Sequence, residues 1–365
     1  MTLDLTSDLP TLLAALVDIE SVSGNEGQIA DEVEAALRPY GHLEVIRLGD
    51  AVIARTHAHP ASDPGRPDRV VVAGHLDTVP LAGNLPSRLI EVEGRPALWG
   101  RGTCDMKGGV AVQLGCAAQL TEPSRDITWV FYDNEEVEAE RNGLGRIARE
   151  RPDLLAGSFA VLCEPTNAGI EGGCQGTVRI DLHFAGKAAH SARSWMGHNA
   201  IHDAGAALAV LTAYTPRQID VDGLSYREGL NAVGISGGIA GNVIPDACTI
   251  QVNYRYAPDK DAAAAVSHLR EVLDAFDFEV SDLAPAARPG LDQPAAAEFC
   301  AAVGGQPRAK FGWTDVARFA EMGIPAVNFG PGDPGKAHAD DECCPLDDLD
   351  ICAQALLRWL GTPHP

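Results

Sequence analysis

The acidic residues and histidines most able to do chemistry recur at a regular interval in the first half of the chain. His75 and Asp77 come first; Asp105 follows 30 residues after His75, Glu135 and Glu136 follow 30 and 31 residues after that, and Glu164 lies 28 residues beyond Glu136. About 30 residues is the length of one strand plus its crossover helix. The spacing therefore predicts that each group sits just beyond the C-terminal end of a strand in one sheet, where open α/β sheets bind their ligands. Carboxylates crowded at one edge repel each other unless cations hold them. Oxygen and imidazole donors without thiolate suit Zn²⁺, Co²⁺ or Mn²⁺ rather than a structural cysteine-type zinc. Two ions would let one carboxylate bridge and would acidify a nucleophilic water near neutral pH. The competing reading makes each acid an N-cap of the helix that follows its strand; it serves for any one of them but not well for the whole set with His75.

The elements that must position these groups are legible as short apolar runs. Val70 to Gly74, Ile127 to Tyr132 and Phe159 to Leu162 read as strands buried on both faces. Helical stretches over Gly108 to Leu120 and Asn142 to Arg151 lie between them, which predicts a βαβα succession and a mixed, mainly parallel sheet. Residues 8–39 read as two helices, with Ser7 or Asp8 as cap and Gly24 between them, and His59 to Asp68 reads as a surface loop. After about Gly173 the texture changes. Strands at Thr177 to Phe184, Ala232 to Ile239, Thr249 to Tyr256 and Phe278 to Val280, with helices at Ala200 to Leu211 and Ala262 to Phe276, form a β-α-β-β-α-β unit, a ferredoxin-like α+β domain inserted into the α/β one. The division expected is 1–174 and 287–365 for the catalytic domain and 175–286 for the insert, with Pro285 to Pro294 as a linker.

Composition narrows the function classes. The 365 residues carry 28 basic and 51 acidic side chains, a formal charge of −23, which argues against a partner made of nucleic acid or anionic membrane. Nine scattered cysteines without C-x-x-C read as reduced thiols of a cytoplasmic protein. The apolar run Leu12 to Val17 lacks a basic flank and meets Asp18 and Glu20 at once, so it is not read as a signal peptide.

Five segments carry a resemblance. Val-Ala-Gly-His75-Leu-Asp77-Thr-Val-Pro, Trp-Gly100-Arg-Gly-Thr-Cys-Asp105-Met-Lys-Gly-Gly, Asp133-Asn-Glu135-Glu136, Cys163-Glu164-Pro-Thr and Lys336-Ala-His338 resemble, in order and nearly end to end, the motifs of the zinc aminoacylase and carboxypeptidase G-like metallopeptidase family. The segments around Cys174-Gln175 and Trp313-Thr-Asp-Val are most similar to its actinobacterial desuccinylase branch. The resemblance implies a zinc-exopeptidase-like fold with two Zn²⁺ per subunit, Co²⁺ or Mn²⁺ possible as substitutes. One ion would be held by His75, Asp105 and Glu164, the other by Asp105, Glu136 and His338, with Asp105 as the bridge. It makes Glu135 the general base, which takes a proton from the attacking water and returns it to the leaving amine. Asp77, on the same side of the strand as His75, would accept the other imidazole N–H. A cis peptide is implied between Asp105 and Met106.

In the insert, the resemblance makes His190 an oxyanion donor to the active site of the other subunit of a homodimer, with the insert as interface and lid. Spacing alone reads His190 as a surface histidine near a helix start. Asn242 is implied as a substrate contact and Arg255 as the ligand of the substrate carboxylate; the planar guanidinium gives Arg255 a case of its own in so acidic a chain. Thr314 is a further substrate-contact candidate. Cys104 and Cys163 adjoin proposed ligands but face the other way in extended backbone, so they are read as small buried hydrophobes.

The implied reaction is hydrolysis of an N-succinyl-LL-2,6-diaminopimelate amide, with deacetylation of N-acetylornithine or another N-acyl-amino acid as the alternative. A non-catalytic, metal-binding homologue is the remote alternative, and the presence of Glu135 argues against it. An arginine that Gram-negative relatives carry near Cys174 is absent here and the loop Gly332 to Gly335 differs, so the residues that would read the succinyl carboxylate are not transferred. Gly234-Ile-Ser236-Gly-Gly238 fits a serine-hydrolase elbow in letters but lies in a strand-like run.

Overall fold

The computed structural model describes residues 3–57 and 69–361; the loop expected over His59 to Asp68 lies outside them. Its main sheet runs in the order Leu43–Leu48, Ala51–Thr56, Ile127–Tyr132, Val70–His75, Phe159–Leu162, Ala326–Asn328, Glu171–Gly172, Arg308–Ala309. The four middle strands are parallel and both margins antiparallel. Every residue of Val70–His75, Ile127–Tyr132 and Phe159–Leu162 is buried, which is why these segments read as unbroken apolar runs: helices cover both faces.

The expected βα succession breaks at one place. No crossover helix lies between His75 and Asp105; the chain instead forms Arg88–Val92 and Arg95–Trp99, two strands of a separate three-stranded sheet completed by Cys343–Pro345. The crossover helix, Gly108–Gln119, comes after Asp105. Asp105 therefore reaches the sheet edge from a wide turn, Thr103–Lys107, that leads into a buried helix, and not from the end of a main-sheet strand. The Asp105–Met106 peptide is cis, as the resemblance implies. Gly109 lets this helix approach the next motif: a Cβ there would lie 2.1 Å from the carbonyl oxygen of Cys163, the residue before Glu164.

The chain divides into two compact units. The first comprises 1–172, 290–308 and 318–365; the second comprises 173–289 together with 309–317. The first has a continuous core in which the helix Leu9–Val17, capped by Asp8 through the Thr11 amide at 2.8 Å, and the helix Leu346–Leu360 pack with Gly108–Gln119. Phe159, Phe299 and Trp359 form a contiguous aromatic group, with Phe299 and Trp359 centroids 4.8 Å apart. Full burial of each such side chain contributes about 1.5–3 kcal/mol.

The second unit has a four-stranded antiparallel sheet in the order Gly229–Gly237, Ala247–Tyr256, Gly176–Ala185, Phe278–Ala284, with helices Ala200–Ala213 and Ala262–Val272. Ser236 sits inside the first of these strands opposite Thr249, not on an elbow. A hairpin, Gln218–Val221 with Leu224–Arg227, was not anticipated, although its Asp222-Gly223 turn, with positive φ at both residues, is a sequence signal for that geometry. Ala309–Ala317 joins this unit through tertiary contacts: Trp313 Nε1 donates to the Pro285 carbonyl at 3.0 Å and the Cys174 thiol to the Thr314 carbonyl at 3.7 Å. No periodicity in the sequence marks that return.

A buried charge ties the second unit together. Glu228 accepts from Arg217 at 2.9 and 3.1 Å, from the Ala257 amide and the Tyr254 hydroxyl at 3.0 Å, and lies 3.1 Å from Lys260 Nζ. Burial pushes its carboxyl pKa upward, but Arg217, the Ala257 amide and Lys260 outweigh that and hold it at about 2. A carboxyl depressed on folding stabilises the folded state above its unfolded pKa and loses that contribution as pH falls towards the folded one. We expect about 3 kcal/mol of stability, present at pH 7, to be lost progressively from about pH 4.5 to about pH 2. Glu228→Gln should remove most of it at pH 7 and flatten the acid limb; denaturant melts of both proteins across that range check this.

Candidate metal centre

Three adjacent parallel strands deliver most of the site. His75 is the last residue of its strand, Glu135 and Glu136 follow Ile127–Tyr132, and Glu164 follows Phe159–Leu162. Asp105 enters from the turn before the buried helix, and His338 from a loop in which its own φ is +65°. Donor atoms of His75, Asp105 and Glu164 lie within 4.8 Å of one another, as do those of Asp105, Glu136 and His338; His75, Glu135 and Glu136 form a third such group. Asp105 faces both histidines, with Oδ1 3.2 Å from His75 Nε2 and Oδ2 3.4 Å from His338 Nε2. His338 Nε2 is 2.8 Å from Glu136 Oε1. This is the arrangement of a carboxylate shared by two positions. The positions differ in exposure: the His75 side chain is 1% exposed and that of His338 52%.

The donor set is all nitrogen and oxygen, and its electrostatics fit divalent cations. Burial opposes charge on His75, yet hydrogen bonds with Asp105 and Asp77 outweigh it and raise its pKa well above the usual value. The Asp105 and Glu136 carboxylates push His338 up to about 10. Burial raises Asp105, but His338 and His75 overcome it and hold its carboxyl far down; on Glu136 burial prevails over His338 and the carboxyl is raised. Imidazole and carboxylate ligands bind metal in their deprotonated forms, so affinity for a cation at these donors would grow with pH.

Asp77 faces His75 through both its backbone and its side chain. The His75 Nδ1–H lies 3.0 Å from the Asp77 backbone carbonyl, while the Asp77 carboxylate is 3.5 Å away. That carboxylate also accepts from the Glu135 amide at 2.9 Å, the Glu136 amide at 3.1 Å and the Ser23 hydroxyl at 2.6 Å. The imidazole thus meets the Asp77 carbonyl and carboxylate together, and the same carboxylate holds the amides of both glutamates. The helix-capping alternative is overturned: Gly108–Gln119 starts from Lys107 and Gly143–Glu150 from Asn142, whose side chain accepts from the Gly145 amide. Cys104 and Cys163 are buried and belong to none of the three donor groups, and all nine cysteines are free.

Sequence reading missed the groups that support the donors. Glu26 is fully buried and accepts from the Gly24 amide at 2.9 Å and the Asn134 amide at 3.1 Å, so the amides of residues 134, 135 and 136 all end on buried carboxylates. Lys107 is buried and donates to the Ile19 carbonyl at 2.7 Å; burial pushes its pKa down to about 7. Arg101 and Glu342 form a buried pair at 2.9 Å. Only Lys107 and Arg101 lay within a quoted motif; Glu26 and Glu342 carry no local signal.

The remaining candidates lie in the second unit. His190 pairs with Val243 across a short antiparallel contact, and the Ser191 amide donates to the Asn242 carbonyl at 2.9 Å, so His190 and Asn242 are neighbours. The exposed His190 accepts the Ala192 amide at Nδ1, 3.0 Å. Arg255 is half-buried on Ala247–Tyr256; burial and the nearby Arg179 push its pKa down. Thr314 is buried, with its carbonyl on Cys174.

Residues 71–362 match the model of peptidase family M20/M25/M40. The chain belongs to that family. This M20 chain is 54% identical over 362 residues to a Mycobacterium tuberculosis protein carrying the provisional name succinyl-diaminopimelate desuccinylase DapE, covering 98% of this chain and 99% of that one. It is 46% identical over 370 residues to the Corynebacterium glutamicum succinyl-diaminopimelate desuccinylase, covering 98% of each. A solved tripeptidase of Staphylococcus aureus shares the M20 fold at 20% identity, with a TM-score of 0.77 and coverage of 99% and 98%.

Proposed function

We propose that this chain hydrolyses N-succinyl-LL-2,6-diaminopimelate to succinate and LL-2,6-diaminopimelate. The observation that carries the reading is identity of 54% and 46%, over nearly the whole of each chain, to proteins named for that reaction. The intact donor set and Glu135 favour a working enzyme over a non-catalytic homologue. Acetylornithine deacetylation, the alternative, would need the same metal chemistry on a smaller acyl group.

His75, Asp105 and Glu164 would hold one Zn²⁺, and Asp105, Glu136 and His338 the other, with Co²⁺ or Mn²⁺ as substitutes. When bound, the ions polarise the amide carbonyl and acidify a water. Glu135, placed by its amide on Asp77, would take a proton from the attacking water and deliver it to the departing amine, so that the amide C–N bond breaks and a carboxylate and an amine form. His190 accepts at Nδ1, which leaves Nε2–H as the donor of its neutral form, the polarity needed to stabilise a tetrahedral oxyanion. Asn242, Arg255 and Thr314 would contact substrate, Arg255 through a carboxylate.

Apolar exposure supports a homodimer through the inserted domain. Gly229–Gly237 is an edge strand carrying exposed Val233 and Ile235, and the same unit exposes Ile239 at 84%, Trp195 at 79% and Met196. An edge strand bearing exposed apolar side chains is a ready surface for pairing with a second copy. The lid and the donation of His190 to the partner's site belong to this proposal. Nine free thiols fit a reducing compartment such as the cytoplasm, and no helix among the described residues is long and apolar enough to cross a membrane.

The test is kcat/KM of the zinc-loaded protein on N-succinyl-LL-2,6-diaminopimelate and on N-acetylornithine, with a chelated control. We expect the succinyl compound to be preferred by about 10³-fold or more, because groups that pair with the succinyl carboxylate in a desuccinylase would be left unpaired by the acetyl compound, and we expect chelation to abolish both rates. Preference for the acetyl compound would move the chain to another branch of the family.

A further inference from the structure

The two donor positions share Asp105 but are not supported alike, and a buried ion pair beside them supports one in particular. Glu342 is 1% exposed and Arg101 3%. Glu342 Oε1 accepts from the backbone amides of Cys104 and Asp105, each at 3.2 Å, so the segment that presents the bridging carboxylate hangs on this side chain. Glu342 Oε2 meets Arg101 at 2.9 Å, and the same Arg101 nitrogen donates to the Ala339 carbonyl at 3.3 Å, one residue past His338. The backbone closes the tie: the Gly100 amide donates to the Glu342 carbonyl at 3.1 Å and the Glu342 amide to the Ala339 carbonyl at 3.2 Å.

Two segments more than 200 residues apart are thereby held in one register, and each carries a donor of the outer position. His338 needs such support. It is a non-glycine residue at φ +65°, a conformation that persists only where its surroundings hold it, and its side chain is half in water. His75 needs none of it, being fixed in a buried strand with its Nδ1 on the Asp77 carbonyl. The inner position is built into the sheet; the outer one depends on a cross-tie.

We propose that Arg101 and Glu342 are positioning residues for the outer metal position, setting the affinity of the Asp105, Glu136 and His338 donors by holding the Asp105 segment and the His338 loop in register, with a smaller effect on the inner position, which shares only Asp105 with that tie. Neither residue belongs to any of the three donor groups. The inference rests on the two-ion reading of the site.

The experiment is titration of the metal-free, full-length protein with Co²⁺, read by visible absorption and chelator competition. Wild type should fill in two steps, and His338→Ala identifies the outer one as the step it removes. Glu342→Gln and Arg101→Met are expected to raise the dissociation constant of the outer step by about 10- to 100-fold, the usual effect of losing a group that orients a ligand. The inner step, which shares Asp105 but not the His338 loop, should weaken clearly less than the outer one, and Arg101→Lys, which keeps the cation, should recover most of the outer affinity. Unchanged Co²⁺ affinities and spectra in both folded variants, with only a lower Tm, would reduce the pair to a structural tie and overturn the proposal, and so would equal weakening of both steps. A single step in the wild type would sink the two-ion reading itself, and this inference with it, which distinguishes the two failures.

Discussion

Glu135→Ala is expected to lower kcat on the succinyl substrate by at least about 10³-fold while two equivalents of metal remain bound. The argument separates base from ligand. Glu135 and Glu136 are adjacent, yet only Glu136 shares a donor group with Asp105 and His338; Glu135 groups with His75 and Glu136 instead. Its amide is fixed on Asp77 at 2.9 Å, so its side chain is held beside the donors without being needed by either proposed ion. Removing a positioned general base costs about 10²- to 10⁴-fold, and here the same carboxylate serves both proton transfers, which places the loss towards the upper end. Glu135→Asp, with a carboxylate one methylene short, should recover only part of it. Turnover within tenfold of wild type in Glu135→Ala would remove Glu135 from the proton path; loss of metal would make it a ligand. Single-turnover kinetics and metal analysis of the same sample decide between these.

Asp105→Ala should have the other large effect, and a different one. Asp105 presents one oxygen to each histidine, at 3.2 and 3.4 Å, so its loss takes one of three protein donors from each position at once. It also leaves two imidazoles without the carboxylate between them. We expect bound metal to fall from two equivalents to fewer than one at micromolar metal and kcat/KM to fall by about 10⁴-fold or more, since both the Lewis acid and the acidified water depend on the ions. His338→Ala is the informative partner: it should lose the outer equivalent and keep the inner. Retention of two equivalents by Asp105→Ala would exclude the bridging role, and elemental analysis after dialysis is sufficient to see it.

Side-chain chemistry and local pattern were enough, in the sequence alone, for the donor types, the buried central strands and the α+β insert. Burial on both faces writes itself as an apolar run, and one-faced burial as alternation, because both are properties of contiguous residues. His75, Glu135, Glu136 and Glu164 were legible for that reason, each lying at the end of such a run. Asp105 was legible as a donor but not in its origin: its 30-residue spacing from His75 imitates a βα repeat, while the intervening chain forms part of another sheet. The further partners of the Asp77 carboxylate were not legible, because strand alternation says which side a residue faces and not which amides a following loop will bring to it.

Tertiary structure alone decided the support of the site. Glu342 and Cys104 are 238 residues apart, Asn134 and Glu26 are 108 apart, and Ala309–Ala317 returns to a unit the chain had left at Pro289. These contacts are made by loops, where no periodicity constrains direction, and the first two satisfy backbone amides that burial had taken from water. Which distant carboxylate meets which amide is settled only when the packed sheets fix the loops.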